Sequence, residues 1–349
     1  RRVDGVPFER TRPQQAWRPP VSASYHLPSA RSAGTAPLER SRQRRGGRGS
    51  GHGLAPSMAA TVVTQFETGH QDAIHDAAYD YYGKRLATCS SDRGIKVFEI
   101  EGEQVTHLAD LHGHDGPVWE VAWAHPSFGT LLASASFDGR VAVWGEVSPA
   151  SWQQVHLSAA HSASVNSVAW APPERGLMLA AASSDGALSV HSATADGGWA
   201  AERLEGAHPP GAAAVSWSPD GLRLVSGGCD GVARVWRRSA STGAWAQEGP
   251  ALAGHADWVR DVAWAPALGA PAATLATAGQ DGRVYVWSEA APGRWDCALL
   301  HDFSPAPVWR LSWAVSGNVL AVTDGTNAVT LWKEALEGQW EKLGGETYA

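Results

Sequence analysis

Cysteine is scarce: Cys89, Cys229 and Cys297 are the only three in 349 residues, and no two are spaced as CxxC. That spacing offers no disulfide framework and suits a reduced intracellular compartment, with the thiols acting as small apolar groups. No run of about 18 apolar residues occurs, so no segment reads as a membrane-spanning helix. No His/Cys cluster has metal-ligand spacing and no Gly-rich phosphate loop follows a strand-like stretch, so neither metal nor cofactor is expected. Negative charge is nearly missing from the first 57 residues, where eleven arginines face only Asp4, Glu9 and Glu39, a balance of +8. Residues 58–349 carry −15, which leaves −7 overall.

Residues 1–57 are also rich in Gly, Ser and Pro and lack periodicity, so they are expected to be a disordered Arg/Gly/Pro-rich extension. A transit peptide and a nucleic-acid-binding arm are both readings of such a basic stretch. The favoured one is that it precedes the native coding sequence, because the chain begins with Arg1 and Met58-Ala59-Ala60 stands like a natural start. The expected folded unit is 58–345.

What the chain has in abundance is tryptophan, 18 in all, and it is periodic. A histidine recurs about every 47 residues, the interval of a four-stranded propeller blade, at His70, His114, His161, His208 and His255, with Leu300-His301 a degraded sixth. An aromatic follows each at Tyr79, Trp123, Trp170, Trp217, Trp264 and Trp313. A third position runs Phe98, Trp144, His191, Trp236, Trp287 and Trp332, and a fourth Trp152, Trp199, Trp245, Trp295 and Trp340. Fourteen of the 18 tryptophans fall on these registers, which rules out chance. The fold class is therefore all-β, a six-bladed β-propeller.

The second period shows the local logic. Val118 to Trp123 alternates as an inner strand, and Ala124-His125-Pro126 breaks it. Leu131 to Ser136 is a small-residue second strand suited to burial on both faces. Asp138-Gly139 supplies turn chemistry, Val141 to Trp144 a third strand, and Trp152 to Leu157 an outer one. The order Gly-His, Ser/Thr, Asp-Gly, Trp resembles the WD-repeat pattern, whose four side chains form a hydrogen-bonded line through each blade. The resemblance assigns such lines to His114, Ser134, Asp138 and Trp144; to His208, Ser226, Asp230 and Trp236; and to His255, Thr277, Asp281 and Trp287. The first period has His70, Thr88 and Asp92, with Phe98 breaking the line. The third replaces hydroxyl and indole by Ala181 and His191. The sixth has Thr326 in place of Asp, with Asp324 two residues early. Those last two blades are expected to be less rigid. A Ser/His/Asp set invites a catalytic reading, but a nucleophilic triad occurs once and opens on a pocket, whereas this set repeats between strands. No enzyme is read here.

Counting strands sharpens the reading. Six periods each contain inner, second, third and outer strands, the last outer strand being Gly338 to Leu343. A further strand-like stretch, Val62, Val63, Thr64, Gln65 and Phe66, precedes the first Gly69-His70. Six inner sets then stand against seven outer strands, which points to an open ring and an edge that needs cover.

Several stretches go beyond generic repeats: Asp80-Tyr81-Tyr82-Gly83, Arg85 to Asp92, Gly113 to Trp119, Ser164 to Val168, Asp257 to Pro266 and Val329 to Glu334. Over about residues 60–343 the chain resembles the Sec-thirteen family, propellers of the COPII outer coat and of the nuclear-pore Y-complex scaffold. The short connection Pro219-Asp220-Gly221 departs from it. The resemblance implies an open six-bladed propeller, a non-enzymatic scaffold completed by a partner's inserted blade. The partners it implies are the large COPII cage subunit, an α-solenoid with an inserted blade, and a nuclear-pore scaffold nucleoporin. It implies no direct contact with nucleic acid, and membrane association only through the coat. The location it implies is cytoplasmic, peripheral at ER exit sites and COPII vesicles, and at nuclear pores of the nuclear envelope. Partner contacts are expected at the orphan strand Val62–Phe66 and on the exposed flanks, at Ile95 and Val97 of the first blade and Val329 and Leu331 of the last. Trp258, Arg260 and Asp261 read as a peptide-binding face or, preferably, as blade packing. The competing function is a WD-repeat peptide-binding adaptor, such as a ubiquitin-ligase substrate receptor. Such receptors commonly carry Trp-Asp after a third strand, where this chain has Gly145, Arg237, Ser288 and Lys333. A histone- or phosphopeptide-reading module would need a basic or aromatic cage that the sequence does not display.

Overall fold

The computed structural model describes residues 65–266, 273–335 and 339–347. Residues 1–57, and with them Val62, Val63 and Thr64, lie outside that set. Six antiparallel sheets follow one another along the chain, each built from consecutive strands. Blade 1 runs Ile74–Tyr79, Arg85–Ser90, Ile95–Glu101 and Gln104–Leu111; blade 2 runs Val118–Trp123, Leu131–Ser136, Val141–Ser148 and Ser151–Ser158. Blade 3 runs Val165–Trp170, Met178–Ser183, Leu188–Ala193 and Trp199–Leu204; blade 4 runs Ala212–Trp217, Arg223–Gly228 and Val232–Arg238, with an outer strand split into Trp245–Gln247 and Leu252–Ala253. Blade 5 runs Val259–Trp264, Thr274–Gly279, Arg283–Ala291 and Arg294–Asp302; blade 6 runs Val308–Trp313, Val319–Asp324, Ala328–Glu334 and Trp340–Thr347. This is the six-bladed WD-repeat propeller that the periodicity predicts.

The sequence of each strand follows from where it sits. The second strands of blades 2 to 5 are buried along nearly their whole length, because each lies between two neighbouring blades. Small residues predominate there, Ala133 and Ala135 in blade 2 and Ala180, Ala181 and Ala182 in blade 3, beside one fully buried leucine in each, Leu132 and Leu179. The turns after the second strands of blades 2 to 5 are seated against the next blade's loop. Gly186 has φ 84°, and a Cβ there would lie 2.5 Å from the His208 carbonyl, so any side chain would push blades 3 and 4 apart.

Five hydrophobic clusters fill five junctions: blades 1 and 2, 2 and 3, 3 and 4, 4 and 5, and 5 and 6. Among the described residues none joins blade 6 to blade 1. The accessibility of blade 6 agrees. In its second strand Leu320, Val322 and Asp324 are buried toward blade 5, while Val319, Ala321 and Thr323 are only half-buried. In its third strand Thr330 and Trp332 are buried and Val329 and Leu331 half-buried. One face of blade 6 is therefore a core surface that nothing fully covers.

The expected orphan strand is not seen as a strand where it can be described. Gln65 and Phe66 are irregular chain, Gln65 exposed and Phe66 packed edge-on against Phe98 at 5.1 Å. The outer edge of blade 1 is already taken by Gln104–Leu111, which pairs with Ile95–Glu101. Phe98 also stands where other blades carry a larger indole, and Phe66 packs against it.

Candidate partner-binding flank and polar lines

Strand parity decides which side chains face the gap. Ile95 and Val97 do not: both are completely buried in the cluster between blades 1 and 2, beside Val118, Val121 and Leu132. This corrects the expectation of an exposed first flank, because alternate residues of a third strand point to opposite sides and these two point inward. Val329 and Leu331 have the opposite parity to the buried Thr330 and Trp332 and share the uncovered face with Val319 and Ala321.

The hydrogen-bonded lines stand between the blades. In blade 2 His114 Nδ1 lies 3.0 Å from Asp138, Nε2 lies 2.8 Å from Ser134 Oγ, and Trp144 Nε1 donates to the same hydroxyl at 2.9 Å. Blade 4 repeats this through His208, Asp230, Ser226 and Trp236, and blade 5 through His255, Asp281, Thr277 and Trp287. Every polar atom is used once the imidazole is neutral: indole N–H to hydroxyl, hydroxyl O–H to Nε2, and Nδ1–H to carboxylate. Burial lowers the pKa of His161, His208 and His255, which favours that neutral form. Burial works to raise Asp138, but hydrogen bonds from His114 and the Asp115 and Arg140 N–H groups overcome it and hold the carboxyl at about 2. Asp185 and Asp230, also partly buried and hydrogen-bonded, sit at about 2 as well. Blade 1 keeps His70, Asp92 and Thr88 without an indole.

Blade 3 was expected to lack the hydroxyl, and it does not. Ser189 on the third strand supplies it, directly opposite Ala181 on the second. His161 Nε2 lies 2.8 Å from Ser189 Oγ, and His191 Nε2 lies 2.9 Å from the same atom in the place of the indole N–H. In blade 2 the pair is Ser134 opposite Ala142, so hydroxyl and alanine have simply exchanged strands. Blade 6 makes the same exchange, with Thr330 opposite Val322 accepting from Trp332 Nε1 at 2.9 Å. Its Asp324 instead binds its own turn through Thr326, and His301 lies against the Trp332 ring at 4.8 Å.

Two further sets of bonds, unread in the sequence, tie the inner strands together. The third residue of one inner strand accepts the N–H of the fourth residue of the next: Asp76 from Val121 at 3.1 Å, Glu120 from Val168 at 2.8 Å, Ser167 from Val215 at 3.2 Å and Asp261 from Leu311 at 2.7 Å. The sixth residue, a tryptophan, donates to the fifth carbonyl of the preceding blade: Trp123 to Ala78, Trp170 to Ala122 and Trp217 to Ala169, each at 2.9 Å, and Trp313 to Ala263 at 3.1 Å. Arg310, third in blade 6, instead reaches to Glu120 of blade 2 at 2.9 Å. Burial pushes the Glu120 and Asp261 carboxyls up, against the pull of Arg310. Recurrent acids at the third inner position were the available signal. Asp261 is thus a packing residue. Arg260 lies between the Trp258 and Trp309 rings at 4.9 and 5.2 Å and donates to Gln280.

The repeat family described as "WD domain, G-beta repeat" matches residues 61–99, 105–145, 152–192, 204–237 and 249–288. "Protein transport protein SEC13 homolog A" of Arabidopsis thaliana is 57% identical over 298 residues, 80% of this chain and 97% of that protein. "Protein transport protein SEC13" of Chaetomium thermophilum is 55% identical over 303 residues, 82% and 96% of the two chains. "Protein SEC13 homolog" of Drosophila melanogaster is 45% identical over 306 residues, 82% and 85%. With the WD-repeat lines in place and identity of this order across the whole propeller, the chain belongs to the SEC13 family.

Proposed function

We propose that this propeller is a non-enzymatic scaffold subunit of a protein-transport coat, the COPII outer cage, which acts between ER and Golgi, and that it also serves in the nuclear-pore scaffold. The observation that carries the reading is the count of junctions among the described residues: six blades, five apolar inter-blade cores, and one blade face left half-covered. Hydrophobic surface shaped to pack on a further blade favours a partner that brings one. The partner in this reading is an α-solenoid protein whose inserted blade lies between blades 6 and 1, as the family resemblance implies. Membrane association is indirect, through the coat. The printed names of the relatives, protein transport proteins, support the transport role. The test is affinity purification of residues 58–349 with wild-type and charged flanks. Leu331→Glu and Ala321→Arg should leave the chain folded and remove a solenoid partner that the wild type retains. Retention of that partner by both variants would overturn the blade-insertion reading.

A further inference from the structure

The inner-strand bonds have a direction, and at the gap each is left half-made. Ala77 is the fourth residue of blade 1's inner strand, opposite Thr88 just as Val121 is opposite Ser134. Its counterparts Val121, Val168, Val215 and Leu311 each give their N–H to a side chain of the preceding blade. Blade 6 offers Arg310 at the accepting position, and a guanidinium has no acceptor atom. Blade 5 shows a local substitute, where Asp261 follows Ala214 in the ladder and accepts the N–H of its own neighbour Val262 at 2.8 Å. Asp76 makes no such bond to Ala77 among the described residues. On the other side of the gap, Ser312 is the fifth residue of blade 6, the register at which Ala78, Ala122, Ala169 and Ala263 accept an indole N–H. Ser312 is exposed, whereas those four are half-buried, and no side-chain donor reaches its carbonyl among the described residues. Tyr79, at the tryptophan position of blade 1, is 38% exposed.

Direct closure of blade 6 on blade 1 would set the Ala77 N–H against Arg310, which cannot accept it. We infer, on the reading that a partner's blade fills the gap, that its innermost strand carries an Asp, Glu, Ser or Thr at its third position, which accepts the Ala77 N–H, and a Trp at its sixth, which donates to the Ser312 carbonyl. The inserted strand thereby continues both ladders in the direction they take at four of the five junctions around the ring. Tyr79 takes the remaining place, its hydroxyl facing the fifth carbonyl of the inserted strand.

The experiment uses the partner chain that co-purifies with residues 58–349, with its inserted strand located by cross-linking to blades 1 and 6. Expected is an acid or hydroxyl at the third position and a Trp at the sixth. Changing the first to Ala or the second to Leu should weaken binding at least tenfold, with both chains folded by circular dichroism. An apolar third residue, or affinities within twofold of wild type for both changes, overturns the inference. Leu331→Glu is run alongside: if it abolishes binding while the partner changes do not, blade insertion stands and the ladder inference falls. If Leu331→Glu leaves binding intact, blade insertion itself has failed.

Discussion

Replacing Ser189 by alanine should be among the most costly single-oxygen deletions in the molecule, and a second substitution across the strand pair should undo much of the damage. Ser189 is completely buried and its hydroxyl serves two buried imidazoles, His161 Nε2 at 2.8 Å and His191 Nε2 at 2.9 Å. Alanine leaves both without a partner. An orphaned buried polar group costs about 1–3 kcal/mol, so the pair should cost about 2–6 kcal/mol. His191 has no ready escape by protonation, because burial lowers its pKa to about 3 and its Nδ1 is already unpartnered. Ala181 lies directly opposite, at the position where Ser134 carries the hydroxyl in blade 2. The double variant Ser189→Ala/Ala181→Ser restores a hydroxyl from the other strand and should recover more than half of the loss. The assay is urea unfolding of the single and double variants, followed by tryptophan fluorescence and closed as a double-mutant cycle. A single-variant loss within about 0.5 kcal/mol of zero, or a double variant no better than Ser189→Ala, would refute the claim that hydroxyl position is interchangeable across the pair.

Three further outcomes follow from the same geometry. Ile95→Ala should destabilise by about 2–5 kcal/mol as a cavity in the blade 1–2 core, while Leu331→Ala on the half-covered face costs a fraction of that; denaturant titration separates them, and equal costs would contradict the flank assignment. Asp138, Asp185 and Asp230 are held at about 2 when folded, below their unfolded value of 3.8. The unfolded chain therefore binds more protons in between, and each contributes about 2 kcal/mol of stability, present above pH 4 and lost as pH falls toward 2. Asp138→Asn should flatten that acid limb of the stability profile. Arg310→Met should cost about 1–3 kcal/mol by removing the cation from the part-buried Glu120 carboxylate. Because burial raises Glu120 to about 7 from 4.5, its folded form gains a proton first, so stability should rise on acidification through that window, more steeply in Arg310→Met.

The propeller and its lines were legible because their signals are local: Asp138-Gly139 makes its own turn, and in blades 2, 4 and 5 the indole sits ten residues after its hydroxyl. The exchange of Ala181 and Ser189 was not, since a pattern of positions cannot show that two residues face each other across strands and serve one space. Ile95 and Val97 were misplaced for a related reason. A third strand has two apolar faces, and alternation alone does not say which meets the neighbour and which meets the gap. Val329 and Leu331 have the parity that faces outward. The open groups at Ala77 and Ser312 are main-chain atoms, for which the side-chain sequence carries no code.

The ion pair between Arg310 and Glu120 spans from the last blade to the second. The Arg310 side chain is 33% exposed and that of Glu120 16%, so the pair stands partly in solvent and outside every apolar core. The same bond behaves as a tie-bar across a split retaining ring. Moving blade 6 away from blade 2 stretches it, so the pair resists widening of the ring.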